Sequence, residues 1–201
     1  MTARIELVTS SPNGVNTWII GDRDEVIVID PGRDPAAVLD VVGDREVVAV
    51  ICTHGHADHV AAALEVADRD EAPVALHPRD RQLWREEHAE DAEIEMADGG
   101  IFEVAEVALE VIYAPGHTDG SVCLYCEGLG AVFTGHVLGA DGPVRHEDEF
   151  PDFADQINAI GEQLLTLPAG TRVLPGQGEE TTIGAVEKNF DDWFAAGPGS
   201  D

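Results

Sequence analysis

The apolar run Val47–Cys52 constrains this chain more than any other segment, because four of its six residues are β-branched and no polar residue interrupts it. It is too short for a helix and lacks the alternation of a half-exposed strand, so it reads as a strand covered on both faces. Such a strand requires a layered fold. Upstream, Pro35–Val42 has helical spacing, with Asp34 placed to cap it, Pro35 at the first helical position and Gly43 to close it. Downstream, the loop 53–59 leads into apolar positions at helical spacing over Val60–Ala67, and Pro73–Leu76 is strand-like again. The order strand, loop, helix, strand is that of an α/β unit.

The rest of the chain continues the theme. Asn16–Ile20 and Glu25–Ile29 read as a two-strand meander ending in the turn Asp30-Pro31-Gly32. Asp80–Glu95 is charged and reads as a short surface helix with a loop. Phe102–Val104, Val107–Tyr113, Val122–Tyr125, Ala131–Thr134 and Arg172–Leu174 read as strands, while Phe153–Leu165 and Ile183–Phe194 read as amphipathic helices. Gly197–Asp201 is a polar tail. No linker or repeat divides the chain, so residues 1–201 are expected to form a single domain of two sheets packed face to face with helices outside.

Charge narrows the partners. With 11 basic against 40 acidic side chains the net charge is −29, and Lys188 is the only lysine. A phosphate-neutralising surface has almost nothing to be built from, which excludes nucleic acid and anionic membrane as expected partners. No apolar stretch approaches the ~20 residues that span a bilayer. Cys52, Cys123 and Cys126 are an odd number, and no basic and then apolar leader opens the sequence, so a reduced, cytoplasmic protein is expected. Cys123 and Cys126 form a CxxC string, but positions three apart on a strand point to opposite faces, so both are assigned to packing.

The histidines carry the chemistry. His54, His56, Asp58 and His59 place four nitrogen or oxygen ligands within six residues, directly after the Val47–Cys52 strand. His117 and His136 follow two other strands, and His146 comes later. Imidazole with carboxylate suits zinc, iron or manganese. In an extended loop, residues two apart point the same way, so His54 and His56 can share one ion. Asp58 and His59 stand at the start of the following helix, turned toward a second ion or a water. His117, with Gly116 and Gly120 allowing a sharp turn, would complete a three-histidine set with one position open to water. An open position implies catalysis. Outside this group, His88 sits among Glu86, Glu87 and Glu90 and reads as solvated helix surface. His77 reads as structural and Trp18, Trp84 and Trp193 as packing residues. Arg145 is the basic residue nearest a site loop, a weak candidate for binding a substrate carboxylate.

The segment Thr53–His59 matches the HxHxDH motif of the metallo-β-lactamase superfamily. Asp30-Pro31-Gly32, Ala114-Pro115-Gly116-His117-Thr118, Phe133-Thr134-Gly135 and Pro175-Gly176 stand in that family's order. The resemblance covers nearly the whole chain and is strongest to the small hydroxyacylglutathione hydrolase, or glyoxalase II, type of thioesterase. It implies an α/β fold of four layers, an αββα sandwich of two mixed β-sheets with the metals at one edge. It also implies that His54, His56 and His117 hold the first metal, and that Asp58 and His59 help to hold a second.

Two departures weaken that second site. His136 stands where the family has an aspartate bridging both metals, and Gln177 where it has a histidine. An imidazole offers one lone pair and no charge, and an amide oxygen is a weak zinc ligand. One tightly bound ion is therefore expected, zinc first, with iron or manganese as alternatives and a second ion weak or absent. His136 would be its fourth ligand or a neighbour.

The expected function is hydrolysis of small thioesters or esters by a metal-bound hydroxide. A bound dication lowers the pKa of its water to ~7. Asp58 is the candidate to orient that water and take its proton. A thiolate leaves unaided because a thiol pKa is ~8.5, and no general acid is evident for an amide. The acidic surface repels anionic thioesters, which counts against glutathione conjugates. The alternatives are a diverged member using one metal for lyase, dehydratase or oxygenase chemistry, or a binding protein without activity.

Overall fold

The computed structural model describes residues 2–10, 14–144 and 152–196. Strands β1 (Arg4–Ser10), β2 (Val15–Gly21) and β3 (Glu25–Ile29) form an antiparallel meander, which β4 (Glu46–Ile51), β5 (Val74–Leu76) and β6 (Ile94–Glu95) extend in parallel. The second sheet starts from the antiparallel strands β7 (Ile101–Val104), β8 (Val107–Tyr113), β9 (Val122–Cys126) and β10 (Ala131–Gly135). There β11 (Arg172–Pro175) joins β10 in parallel and β12 (Thr181–Thr182) closes the edge antiparallel to β11. Both sheets are mixed and six-stranded.

Alternation along the strands sets the layers. Trp18, Ile20, Ile27, Ile29 and Ile51 of the first sheet meet Leu109, Val111, Leu124, Phe133 and Leu174 of the second in the central core. The opposite face of the first sheet, with Ile19, Val28 and Val50, packs under helices α1 (Pro35–Val42), α2 (Ala57–Val60), α3 (Ala63–Asp68) and α4 (Arg81–Glu87). On the second sheet Cys123, Val132 and Val173 pack under α5 (Phe153–Ala159) and α6 (Ile183–Ala196). Cys126 belongs to the central core and Cys123 to the outer one, so the CxxC pair is split across the sheet and all three cysteines are buried free thiols. The result is a four-layer αββα sandwich.

Helix α1 forms as its sequence dictates. Asp34 Oδ1 accepts from Ala37 N at 3.0 Å, and Gly43, at φ 64°, donates back to Leu39 O at 2.9 Å. The expected Val60–Ala67 helix is instead two pieces. Gly32 N donates to His59 O and Ala62 N donates to Gly32 O, both at 2.9 Å. Those two groups are thereby taken out of the helical ladder, and the chain is reset around the Asp30-Pro31-Gly32 turn. The expected Phe153–Leu165 helix likewise passes into a π turn over Ile160–Leu164.

His88 corrects an expectation. It is buried, its Nε2 lies 2.8 Å from Val60 O, and its ring packs 4.1 Å from that of Trp84. The glutamates around it are solvated, but the histidine ties the end of α4 to the end of α2. Among the described residues no helix is long and apolar enough to cross a membrane.

Candidate metal centre

The ends of β3, β4, β8 and β10 meet at one edge of the sandwich, where Val122 N of the second sheet donates to Thr53 O of the first at 2.9 Å. Each strand contributes one element of the site. Asp30 ends β3 at φ 49°, a left-handed conformation costly for a non-glycine residue, and three contacts hold it there. Its Oδ1 accepts from Thr53 N at 2.7 Å, and its Oδ2 accepts from Thr53 Oγ1 at 2.6 Å and lies 3.1 Å from His59 Nδ1.

The loop after β4 carries His54 and His56, α2 carries Asp58 and His59, the turn after β8 carries His117, and the turn after β10 carries His136. One ring nitrogen from each of His54, His56, His117 and His136 lies within 4.8 Å of all the others, and all four residues are buried. His117 Nε2 is 3.1 Å from His56 Nδ1 and 3.3 Å from His136 Nδ1. These spacings match the roughly 3.4 Å edge of a zinc tetrahedron with ~2.1 Å bonds.

His59 Nε2 lies 3.0 Å from His136 Nε2, and Asp30, His54 and His59 form a second group of converging ligand atoms. Asp58 belongs to neither group. Its carboxylate stands 3.9 Å from His59 Nε2 and is 18% exposed, facing solvent more than the buried rings do. Gln177 is exposed on the loop after β11, where its backbone bridges to Val15. Arg145 and His146 fall outside the described residues.

The donor set fits a transition-metal ion. His54 Nε2 is fully buried with no hydrogen-bond partner, a state that costs about 1–3 kcal/mol unless something accepts its lone pair or proton. Burial first, and then the neighbouring imidazoles, hold the His54 pKa well below its usual value, so the ring is neutral at pH 7. Neutral imidazoles with converging nitrogens are what a metal requires.

Asp30 is a site residue that sequence reasoning missed, because the Asp-Pro-Gly string read as a turn and as a match to the family's order, with no role at the metal. Thr53 and His59 use its lone pairs, so it orients the His59 ring in the manner of a carboxylate behind a metal-ligand histidine. The available signal was an aspartate at the end of a buried strand.

Glycine is required where the backbones touch. A Cβ on Gly135, whose φ is 49°, would lie 2.3 Å from Thr53 Oγ1 and 2.8 Å from Thr53 Cβ. Gly135→Ala is expected to cost about 2–5 kcal/mol, combining left-handed strain of ~1–2 with overpacking of ~1–3. A fall in thermal midpoint of under a degree would contradict this close approach.

A four-layer sandwich with a histidine cluster at the strand ends defines a class of metal-binding α/β proteins. The profile of the Metallo-beta-lactamase superfamily matches residues 11–177, and the chain belongs to that superfamily, whose members are mostly metal-dependent hydrolases. It is 32% identical to an uncharacterized protein of Mycobacterium leprae, over 92% of this chain and 96% of that one. It is 28% identical to the probable metallo-hydrolase YqgX of Bacillus subtilis, over 86% and 89%. Identity to the hydroxyacylglutathione hydrolase GloC of Haemophilus influenzae is 25%, over 92% and 95%. Among solved structures, the BLEG-1 B3 metallo-beta-lactamase superposes with a TM-score of 0.84 at 25% identity, covering 92% of this chain and 97% of that one. TTHA1623, solved in a di-iron-bound form, superposes with a TM-score of 0.78 at 26% identity, covering 91% and 97%.

Proposed function

We propose that this protein hydrolyses small thioesters or activated esters with one tightly held metal ion, zinc in the first instance and iron or manganese as alternatives. The observation that carries this reading is the convergence of buried ring nitrogens from His54, His56, His117 and His136. When bound, the ion supplies hydroxide at neutral pH and polarises the carbonyl under attack.

This chain's residues then do the following. His54, His56 and His117 hold the ion and His136 closes the set. Asp30 fixes the His59 ring through its Nδ1. Asp58, with its partly exposed carboxylate beside His59, orients water and accepts its proton. The leaving group must depart without a delivered proton, which favours thiolates, with pKa ~8.5, over amines. The hydroxyacylglutathione hydrolase relative supports thioester chemistry, while the net charge of −29 disfavours highly anionic conjugates. The same charge argues for a small-molecule partner rather than nucleic acid or membrane, and three buried free thiols suit a reducing cytoplasm.

A second reading keeps one metal but uses it for lyase, dehydratase or oxygenase chemistry. It is favoured by His136, which removes the carboxylate that the family's two-metal hydrolases use as a bridge.

Elemental analysis of protein purified without chelators, combined with a generic thioester and its matched amide, tests both. About one equivalent of metal and selective turnover of the thioester are expected. One equivalent with no hydrolysis of either compound favours the second reading. Less than a tenth of an equivalent removes both.

A further inference from the structure

Asp80 is a buried carboxylate that the metal reading leaves unused. It is 1% exposed, at the end of the short turn Pro78–Asp80 that leads into α4. Its Oδ2 accepts from Gly55 N at 2.8 Å and from Thr118 Oγ1 at 2.7 Å, and its Oδ1 accepts from Gly120 N at 2.7 Å. Gly55 lies between His54 and His56, and Thr118 follows His117. One side chain thus joins the two loops that carry three of the four clustered histidines.

The surroundings are shaped to this carboxylate. A Cβ on Gly120 would stand 2.6 Å from Asp80 Cγ and Oδ1, and a Cβ on Gly55 would stand 2.9 Å from Asp80 O. Gly120 is therefore required by the approach of the Asp80 carboxylate, and Gly55 by that of the Asp80 backbone together with Leu83 Cβ, which a Cβ would meet at 2.8 Å. Thr118 is aimed by Ser121, whose Oγ lies 2.8 Å from Thr118 Oγ1 and accepts from Thr118 N at 3.0 Å.

No arginine or lysine pairs with Asp80 among the described residues. A buried anion without a cation is costly, and hydrogen bonds offset only part of that cost. Burial raises its carboxyl above the usual range, against the bonds from Thr118, Gly55 and Gly120 and the field of His56. The cationic group that this arrangement lacks is the one the neighbouring imidazoles converge to bind. Imidazole ligands bring no negative charge to balance a dication, and His136 stands where the family has a bridging carboxylate.

We infer that Asp80 is a positioning residue of the metal centre: it fixes His56 against His117 by tying their loops together, and it supplies buried negative charge beside the ion. This rests on the metal-dependent reading above. Partners in the shell behind metal ligands typically change affinity by about 10–100-fold when removed, and Asp80→Ala is expected to weaken zinc binding by that range. Asp80→Asn, which keeps the shape but loses the charge and an acceptor, is expected to fall in the same range. Thr118→Val removes one of the three bonds and is expected to lose less than about tenfold.

The experiment is competition for zinc between the full-length chain and a chromogenic chelator, with thermal midpoints taken for the metal-loaded and metal-free forms. Positioning predicts that the variants lose affinity and that their metal-loaded midpoint falls further than their metal-free one. A merely structural Asp80 would lower both midpoints equally at unchanged affinity, and that result overturns the inference. If Asp80→Ala does not fold, wild-type affinity in both Asp80→Asn and Thr118→Val overturns it as well. A wild-type chain that takes up no zinc, iron or manganese removes the underlying reading, an outcome distinct from tight binding by every variant.

Discussion

His54→Ala is expected to abolish metal uptake and thioester hydrolysis while leaving the metal-free chain close to wild-type stability. Two terms of opposite sign meet at this residue. In the metal-free chain its Nε2 is a buried orphan whose removal recovers about 1–3 kcal/mol. The space left by the ring costs a similar amount, since truncating a large buried side chain costs ~2–5 kcal/mol, part of which is lost apolar transfer that an imidazole supplies poorly. In the metal-loaded chain the balance is one-sided. A ligand at a thousand times its dissociation constant stabilises the fold by about 4 kcal/mol, and the variant forfeits all of it.

Thermal unfolding with and without chelator therefore separates the two proteins. Chelation should lower the wild-type midpoint by several degrees and leave that of His54→Ala unmoved. Hydrolysis should drop at least about a thousandfold in kcat/KM, equivalent to about 4 kcal/mol of transition-state stabilisation. A His54→Ala protein that still carries a full equivalent of metal would show that the four nitrogens do not share an ion.

The second large effect concerns ion number. His136 lies between two other rings, with its Nε2 3.0 Å from His59 and its Nδ1 3.3 Å from His117. It occupies the position from which a carboxylate reaches both sides. An aspartate there offers two oxygens and a negative charge, where imidazole offers a single lone pair on a neutral ring. Gly176 packs so closely on His59 that a Cβ would meet its Cε1 at 2.7 Å, which puts residue 177 one step from the His59 side of the site. The double variant His136→Asp, Gln177→His is accordingly expected to raise bound metal from about one equivalent to about two. Elemental analysis reads the change directly. Occupancy that stays at one would place the second ion's ligands elsewhere than Asp58, His59 and these two positions.

Much of the fold could be read from local pattern. Val47–Cys52 had to be a strand covered on both faces, and it became the parallel strand β4 between helices and the central core. Asp34, Pro35 and Gly43 marked both ends of α1 to the residue, because cap chemistry is local. Where partners decide, the pattern was silent. β1 alternates Ile5 and Leu7 with Arg4 and Glu6 and is only half buried at a sheet edge, so its strand character comes from pairing with β2. β6 and β12 are two residues each and exist only because a neighbouring strand pairs with them. The break between α2 and α3 depends on Gly32, nearly thirty residues upstream, which no helical window contains.

The same division holds at the site. Residue chemistry and spacing specified an acidic α/β protein and the histidines that bear on a metal, and the family resemblance of the sequence added the weakening of a second ion position by His136 and Gln177. Those properties belong to side chains wherever they sit. Tertiary structure alone decided that His136 joins His54, His56 and His117, that His88 is buried against Trp84, that Asp30 meets the His59 ring and that Asp80 ties Gly55 to Thr118 and Gly120. Each of these is a contact between residues far apart in the chain. Its existence depends on how the strand ends meet, and composition and periodicity carry no record of that meeting.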